Sequence, residues 1–165
     1  MRKIYTVLSA LTLLLSGVIA GGANASATTN MAVANCNGHS VVSASYVRRF
    51  SDNKALGAIQ LCRNGNHWFS MFIYYGDQLP SGHIGNARKW FVRNWEILGQ
   101  QSCADSGGSG YAAGSTTWCT SPQDYPAGDP TQQRRGEGEL LQYVNGKWVE
   151  YARGYTLLCN YNGCQ

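Results

Sequence analysis

From residue 41 onward, apolar and polar positions alternate in short runs, and Gly, Pro, Asn and Ser separate one run from the next. A period of two over short segments predicts strands rather than helices. Residues 41–50 place Val42, Ala44, Tyr46 and Phe50 on one face and Ser43, Ser45 and Arg49 on the other. The even-numbered face is therefore expected to be the buried one. Ser51-Asp52-Asn53-Lys54 reads as a turn, residues 58–63 as a second strand, and Asn64-Gly65 as a hairpin signal. Residues 67–75 (HWFSMFIYY) are apolar on both faces, as in a central strand covered on both sides. Gly76-Asp77, Pro80 and Gly82 end that run.

Residues 87–98 (ARKWFVRNWEIL) fit two periods. A helix from Asn86 to Gly99 would align Ala87, Phe91, Trp95 and Leu98, but would crowd Arg88 and Lys89 at the positive end of its dipole. The Trp, Phe, Val and Ile content suits a strand, and a strand is expected. Trp90 and Trp95 would then lie on opposite faces. Residues 100–136 are rich in Gly, Ser, Thr and Pro and read as one long loop, its first half tethered by Cys103 and Cys119, with Trp118 and Tyr125 to pin it. Residues 139–144, Asn145-Gly146 and residues 147–153 form a hairpin. Its register pairs Tyr143 with Trp148 and Leu141 with Glu150 on one face, and Leu140 with Tyr151 and Gln142 with Val149 on the other. Gly154 breaks or bulges the run, and residues 155–159 continue as a further strand. Six or seven short strands predict an all-β fold, a small antiparallel sandwich or barrel.

The chain opens differently. Arg2-Lys3 precedes an uncharged stretch, residues 4–20, and Ala23-Asn24-Ala25 follows. Positive, apolar and small-residue segments in that order predict a signal peptide over residues 1–25, with Ala25-Ser26-Ala27 as the alternative cleavage site. The apolar stretch is short for a spanning helix and is broken by Thr6, Ser9, Thr12 and Ser16. Residues 26–35 are expected to be a flexible leader and residues 36–165 a single secreted domain. Removing Arg2 and Lys3 leaves eleven basic residues against nine acidic ones, an excess of two. So small an excess gives no electrostatic case for nucleic acid. An extracellular, monomeric product with no membrane attachment is expected.

Cys36, Cys62, Cys103, Cys119, Cys159 and Cys164 all follow the expected cleavage site. An even count in an exported chain reads as a disulfide framework, with fifteen possible pairings. The sequential pairing is expected, because each bridge then closes a loop within one local segment. No C-x-x-C pair occurs and no His lies near Cys159 or Cys164, so no metal and no cofactor is expected.

Catalytic motifs of distinctive spacing are missing: no H-E-x-x-H, no G-x-S-x-G and no phosphate-binding loop. His39, His67 and His83 have no orienting partner in the sequence. Glu137, Glu139 and Asp129 cluster beside Arg134-Arg135. Two carboxylates at suitable separation could hydrolyse a glycosidic bond, yet alternating charges before a strand more often mark a solvated edge. The aromatics are the better lead. Five tryptophans and nine tyrosines beyond Tyr5 exceed what a small core needs. Trp90, Trp95 and Trp118, with Arg88 and Arg93 beside the first two, are candidate binding residues, since Trp, Tyr and Arg dominate interface hot spots. A non-catalytic domain that binds a cell-wall, carbohydrate or protein partner is the leading expectation. The alternatives are a small hydrolase of glycans or nucleic acid, using Glu137 or Glu139, and a secreted inhibitor or antibacterial effector displaying the 100–136 loop.

Residues 57–69 (GAIQLCRNGNHWF), with Leu61 and Trp68 as landmarks, resemble the YjfA-like small secreted proteins of Gram-positive bacteria, which carry a domain of unknown function. Cys62 departs from that pattern by lying in the strand rather than the turn. The resemblance implies a small β fold and export, and it carries no catalytic residues to transfer.

Overall fold

The structure is a computed structural model that describes residues 36–124 and 131–165. The expected signal peptide and leader, together with Tyr125 and Asp129, lie outside the described residues. After a 3-10 turn at Cys36–Gly38 the described residues form ten strands: β1 (Ser40–Arg49), β2 (Ala55–Asn64), β3 (His67–Tyr74), β4 (His83–Arg93), β5 (Glu96–Ser102), β6 (Trp118–Thr120), β7 (Gln133–Val144), β8 (Lys147–Tyr155), β9 (Cys159–Asn160) and β10 (Gly163–Cys164). The fold is all-β and antiparallel, as the alternation predicts. Spatial order runs β5-β4-β7-β8-β1-β2-β3-β6, with the β9–β10 hairpin set beside the start of β7.

The sheet curls into a half-barrel because each of six strands turns a side chain to one shared interior. Val47, Ile59, Phe72, Ala87, Leu140 and Ala152, from β1, β2, β3, β4, β7 and β8, form a single buried cluster. Tight curling needs close backbone approach, and Gly154 supplies it: a Cβ there would stand 2.1 Å from the Tyr46 carbonyl oxygen. The run therefore continues through Gly154 to Tyr155 instead of breaking.

The two edges of the curl meet along a seam that strand pairing does not close. Residues 103–117 cross it. Gly85 on β4 exchanges backbone hydrogen bonds of 2.9 and 3.0 Å with Ala112, and Cys103, just after β5, is bonded to Cys119 on β6. Lys89 on β4 is fully buried and crosses the same seam. Its Nζ donates to the carbonyl oxygens of Trp68 (2.8 Å) and Pro122 (2.6 Å) and pairs with Asp124, which also pairs with Arg134 at 2.8 Å. The other bridges are Cys36–Cys62 and Cys159–Cys164, so all three follow the sequential pairing.

Five expectations need correction, the first being that residues 155–159 are not a further strand: β8 ends at Tyr155 and the next strand, β9, begins only at Cys159. Residues 87–98 are not one strand but the facing parts of β4 and β5, joined by a two-residue turn at Asn94–Trp95. Residues 100–136 are not one loop, because β5, β6 and β7 each take a share of them, and Asp124 bridges to Trp68. On β1, Val42 of the even-numbered set packs against Leu61, Trp68 and Cys159, but bulges at Val41/Ser43 and Val47/Arg48 shift the register, so that further along the strand Val47 is the buried residue and Phe50 is exposed. Small Ser45 faces bulky Ile59 across β1 and β2, which suits the concave side of a curved sheet. In the final hairpin the pairs Tyr143–Trp148, Leu141–Glu150 and Gln142–Val149 hold, but a bulge sets Leu140 opposite Ala152 rather than Tyr151.

Candidate functional site

On the outer face of β4, β7 and β8 the register lays side chains in rows. Trp90 stands beside Arg135, Arg88 beside Glu137 and Tyr155, and Asn86 beside Glu139 and Arg153. Inward positions on β7 are Arg134, Gly136, Gly138 and Leu140, so the charged outward positions follow directly from the period of two. Glu137 and Glu139 are nonetheless buried, because longer neighbours lie over them. Glu137 accepts from the Trp90 indole at 2.6 Å and pairs with the Arg153 guanidinium at 3.2 Å. Glu139 accepts from Asn86 at 3.1 Å and pairs with Arg88 at 3.0 Å. Burial pushes the Glu139 carboxyl above its ordinary pKa, against the pull of Arg88 and Asn86.

One oxygen from each of Glu137, Glu139 and Glu150 lies within 4.8 Å of the others, a spacing that could suit a cation. The Arg153 guanidinium already pairs with Glu137 and Glu150 and serves as that cation. The carboxylates are thus engaged by donors of the chain itself, in a charge ladder that runs across β4, β7 and β8. His39 meets Phe69 edge-on at 5.8 Å, and His83 bonds the Ser81 carbonyl and meets Tyr151 at 5.2 Å.

The ladder ends at a cleft of about 380 Å³ between the β4–β5 hairpin and the segment after β8. Val92, Trp95, Ile97, Leu157 and Leu158 give it apolar walls; Arg135, Thr156 and Gln165 are its polar lining. Its volume falls within the range of small-molecule and peptide side-chain pockets.

Trp95 is the notable member. The Asn94–Trp95 turn has φ of 50° and 69°, positive at both central residues. That geometry is the type I′ hairpin turn, which favours Asn-Gly. The same chain uses Asn145-Gly146 in its β7–β8 hairpin, with φ of 50° and 82°. At the equivalent place in β4–β5 it carries Trp, in a backbone region that costs a non-glycine residue about 1–2 kcal/mol. The side chain is 78% exposed, so little packing offsets that cost.

Of the candidate binding residues, Trp95 alone lines the cleft. Trp90 and Arg88 belong to the ladder. Arg93 sits at the end of β4 opposite Glu96. Trp118 is half exposed on β6, opposite Ile73, at the other end of the strand order. Arg135, Val92, Ile97, Leu157 and Leu158 escape a reading by motif. Arg135 was within reach of pattern alone: alternation through residues 134–140 (RRGEGEL) separates an inward Arg134 from an outward Arg135. An exposed aromatic pair, Tyr143 and Trp148 at 5.1 Å, caps the opposite end of the β7–β8 hairpin.

Among the described residues no helix is long and apolar enough to cross a membrane. Comparison of the chain with protein-family models, with curated proteins and with solved structures finds no match.

Proposed function

We propose that this chain is a non-catalytic binding module that works outside the cell, and that it holds a cell-wall or extracellular partner at the Trp95 cleft. Export is supported by the positive, apolar and small-residue order of residues 1–25 and by three disulfides, which persist in oxidising compartments. Binding rests on one observation: an exposed tryptophan is held in a left-handed turn position where the same chain elsewhere uses glycine. Backbone strain of this kind concentrates at functional sites. A flat aromatic face beside an apolar cleft offers large contact area at little entropy cost, whether to a sugar ring or to a peptide side chain. The carboxylates that a glycan hydrolase would need are occupied by Arg88, Arg153, Asn86 and Trp90.

Co-sedimentation with insoluble peptidoglycan tests the reading. The wild-type chain is expected to pellet with the polymer and to release no soluble fragments. The variant Trp95→Ala is expected to bind about thirtyfold more weakly, the loss typical of an aromatic hot spot worth ~2 kcal/mol. Equal retention of both proteins, or soluble product from the wild type, would contradict it.

A further inference from the structure

The polar side of the cleft is more specific than its apolar walls. Most cations near it are already paired. Arg88 is held by Glu139, Arg153 by Glu137 and Glu150, and both Lys89 and Arg134 by Asp124. Arg135 differs. Its guanidinium lies over the Tyr155 ring at 4.6 Å, which orients it, and among the described residues no carboxylate is within ion-pair distance. Its Nε is buried and has no hydrogen-bond partner among the described residues. A guanidinium fixed by stacking, with donors to spare and apolar walls around it, is suited to a carboxylate, because a planar fork matches that group and a partly dry site strengthens the pair.

Resting on the reading of this cleft as the binding site, we infer that its ligand is the C-terminal end of a short apolar peptide, with the terminal carboxylate on Arg135 and the adjoining apolar side chain against Trp95, Ile97 and Leu157. Two features favour a peptide over a fatty acid. The cleft is at the small end of ligand pockets, which fits a terminal group rather than a long chain. Polar groups at and beside the cleft could serve peptide amides. Gln165 lines the cleft, and β5, which contributes Ile97, pairs only with β4 among the described residues, leaving edge amides open to a partner.

The test is a nitrogen-15 NMR titration of the full mature protein with three probes: N-acetyl-leucyl-alanine as the free acid, the same dipeptide as its C-terminal amide, and octanoate. The acid is expected to shift the Trp95 indole and Arg135 Nε–H signals at millimolar concentration, and to bind at least tenfold more tightly than the amide. In Arg135→Gln, whose own spectrum reports whether it is folded, acid and amide should bind equally weakly. Acid and amide shifting Trp95 with equal affinity in the wild type would overturn the carboxylate assignment while leaving the cleft as a binding site. Octanoate binding more tightly than the peptide acid would overturn the peptide assignment. Absence of any shift at Trp95 with all three probes would overturn both this inference and the reading of the cleft on which it rests.

Discussion

Reducing the three disulfides is expected to abolish the cooperative fold at 25 °C without denaturant. The bridges span sequence separations of 26, 16 and 5 residues. In the chain-entropy account, loops of those lengths stabilise by about 3.5, 3 and 2 kcal/mol. Together they are comparable with the whole ~5–15 kcal/mol stability of a typical domain. The three are not equivalent in position. Cys103–Cys119 ties the β5 side of the seam to β6, where no ladder of strand hydrogen bonds does so. Its loss should exceed the entropic figure, because the 103–117 segment and the Gly85–Ala112 contact depend on it. Cys159–Cys164 closes the shortest loop, and the double variant C159A/C164A should cost least. Near-ultraviolet circular dichroism during reduction reads this out through the buried tryptophan environment. A reduced protein that still melts in one sharp transition would contradict it.

The second large effect is at Lys89. Replacing it with Met is expected to cost about 3–5 kcal/mol, the usual penalty for removing one partner of a buried ion pair. The loss arises because Asp124 is left with Arg134 alone and the Trp68 and Pro122 carbonyls lose their donor. Urea unfolding measures it, and a change under about 1 kcal/mol would contradict the role given to Lys89. A pH dependence accompanies it. Burial lowers the Lys89 ammonium to about 8 from 10.5, against the attraction of Asp124. Between these values the unfolded chain keeps a proton that the folded chain has released. Stability linked to this group is therefore fully present above 10.5 and is lost as pH falls through about 8. The gap between wild type and Lys89→Met should widen, on the order of 1 kcal/mol or more, as pH is raised across that window. A gap that narrows would reverse the sign of the argument.

These two groups show where the sequence speaks and where it is silent. The β7–β8 hairpin was readable almost residue by residue, because Asn145-Gly146 announces its turn and alternation pins its register. Residues 87–98 read as one strand because Asn94-Trp95 lacks the glycine that marks the same turn in β7–β8. The residue that hides this signal is the one proposed above to carry binding. Alternation alone does not mark Val47 as inward, because bulges on β1 change which parity faces the core, and bulges leave no compositional trace. The seam is legible only in part: the Cys103–Cys119 bridge follows from local pairing, whereas Lys89 and Asp124 meet only after the sheet has curled. The cleft likewise draws on β4, β5, β7 and the segment after β8, so no local window contains it.

The most direct measurement of the central claim is a paired one on Trp95→Gly. Glycine relieves the left-handed backbone at that turn, and little packing is lost at so exposed a position. The variant should therefore be more stable by about 0.5–1 kcal/mol, a rise of about 2–4 °C in melting temperature. Its retention on peptidoglycan should fall as far as that of Trp95→Ala. A variant that melts lower than wild type while binding as well would mean that Trp95 is there to hold the fold.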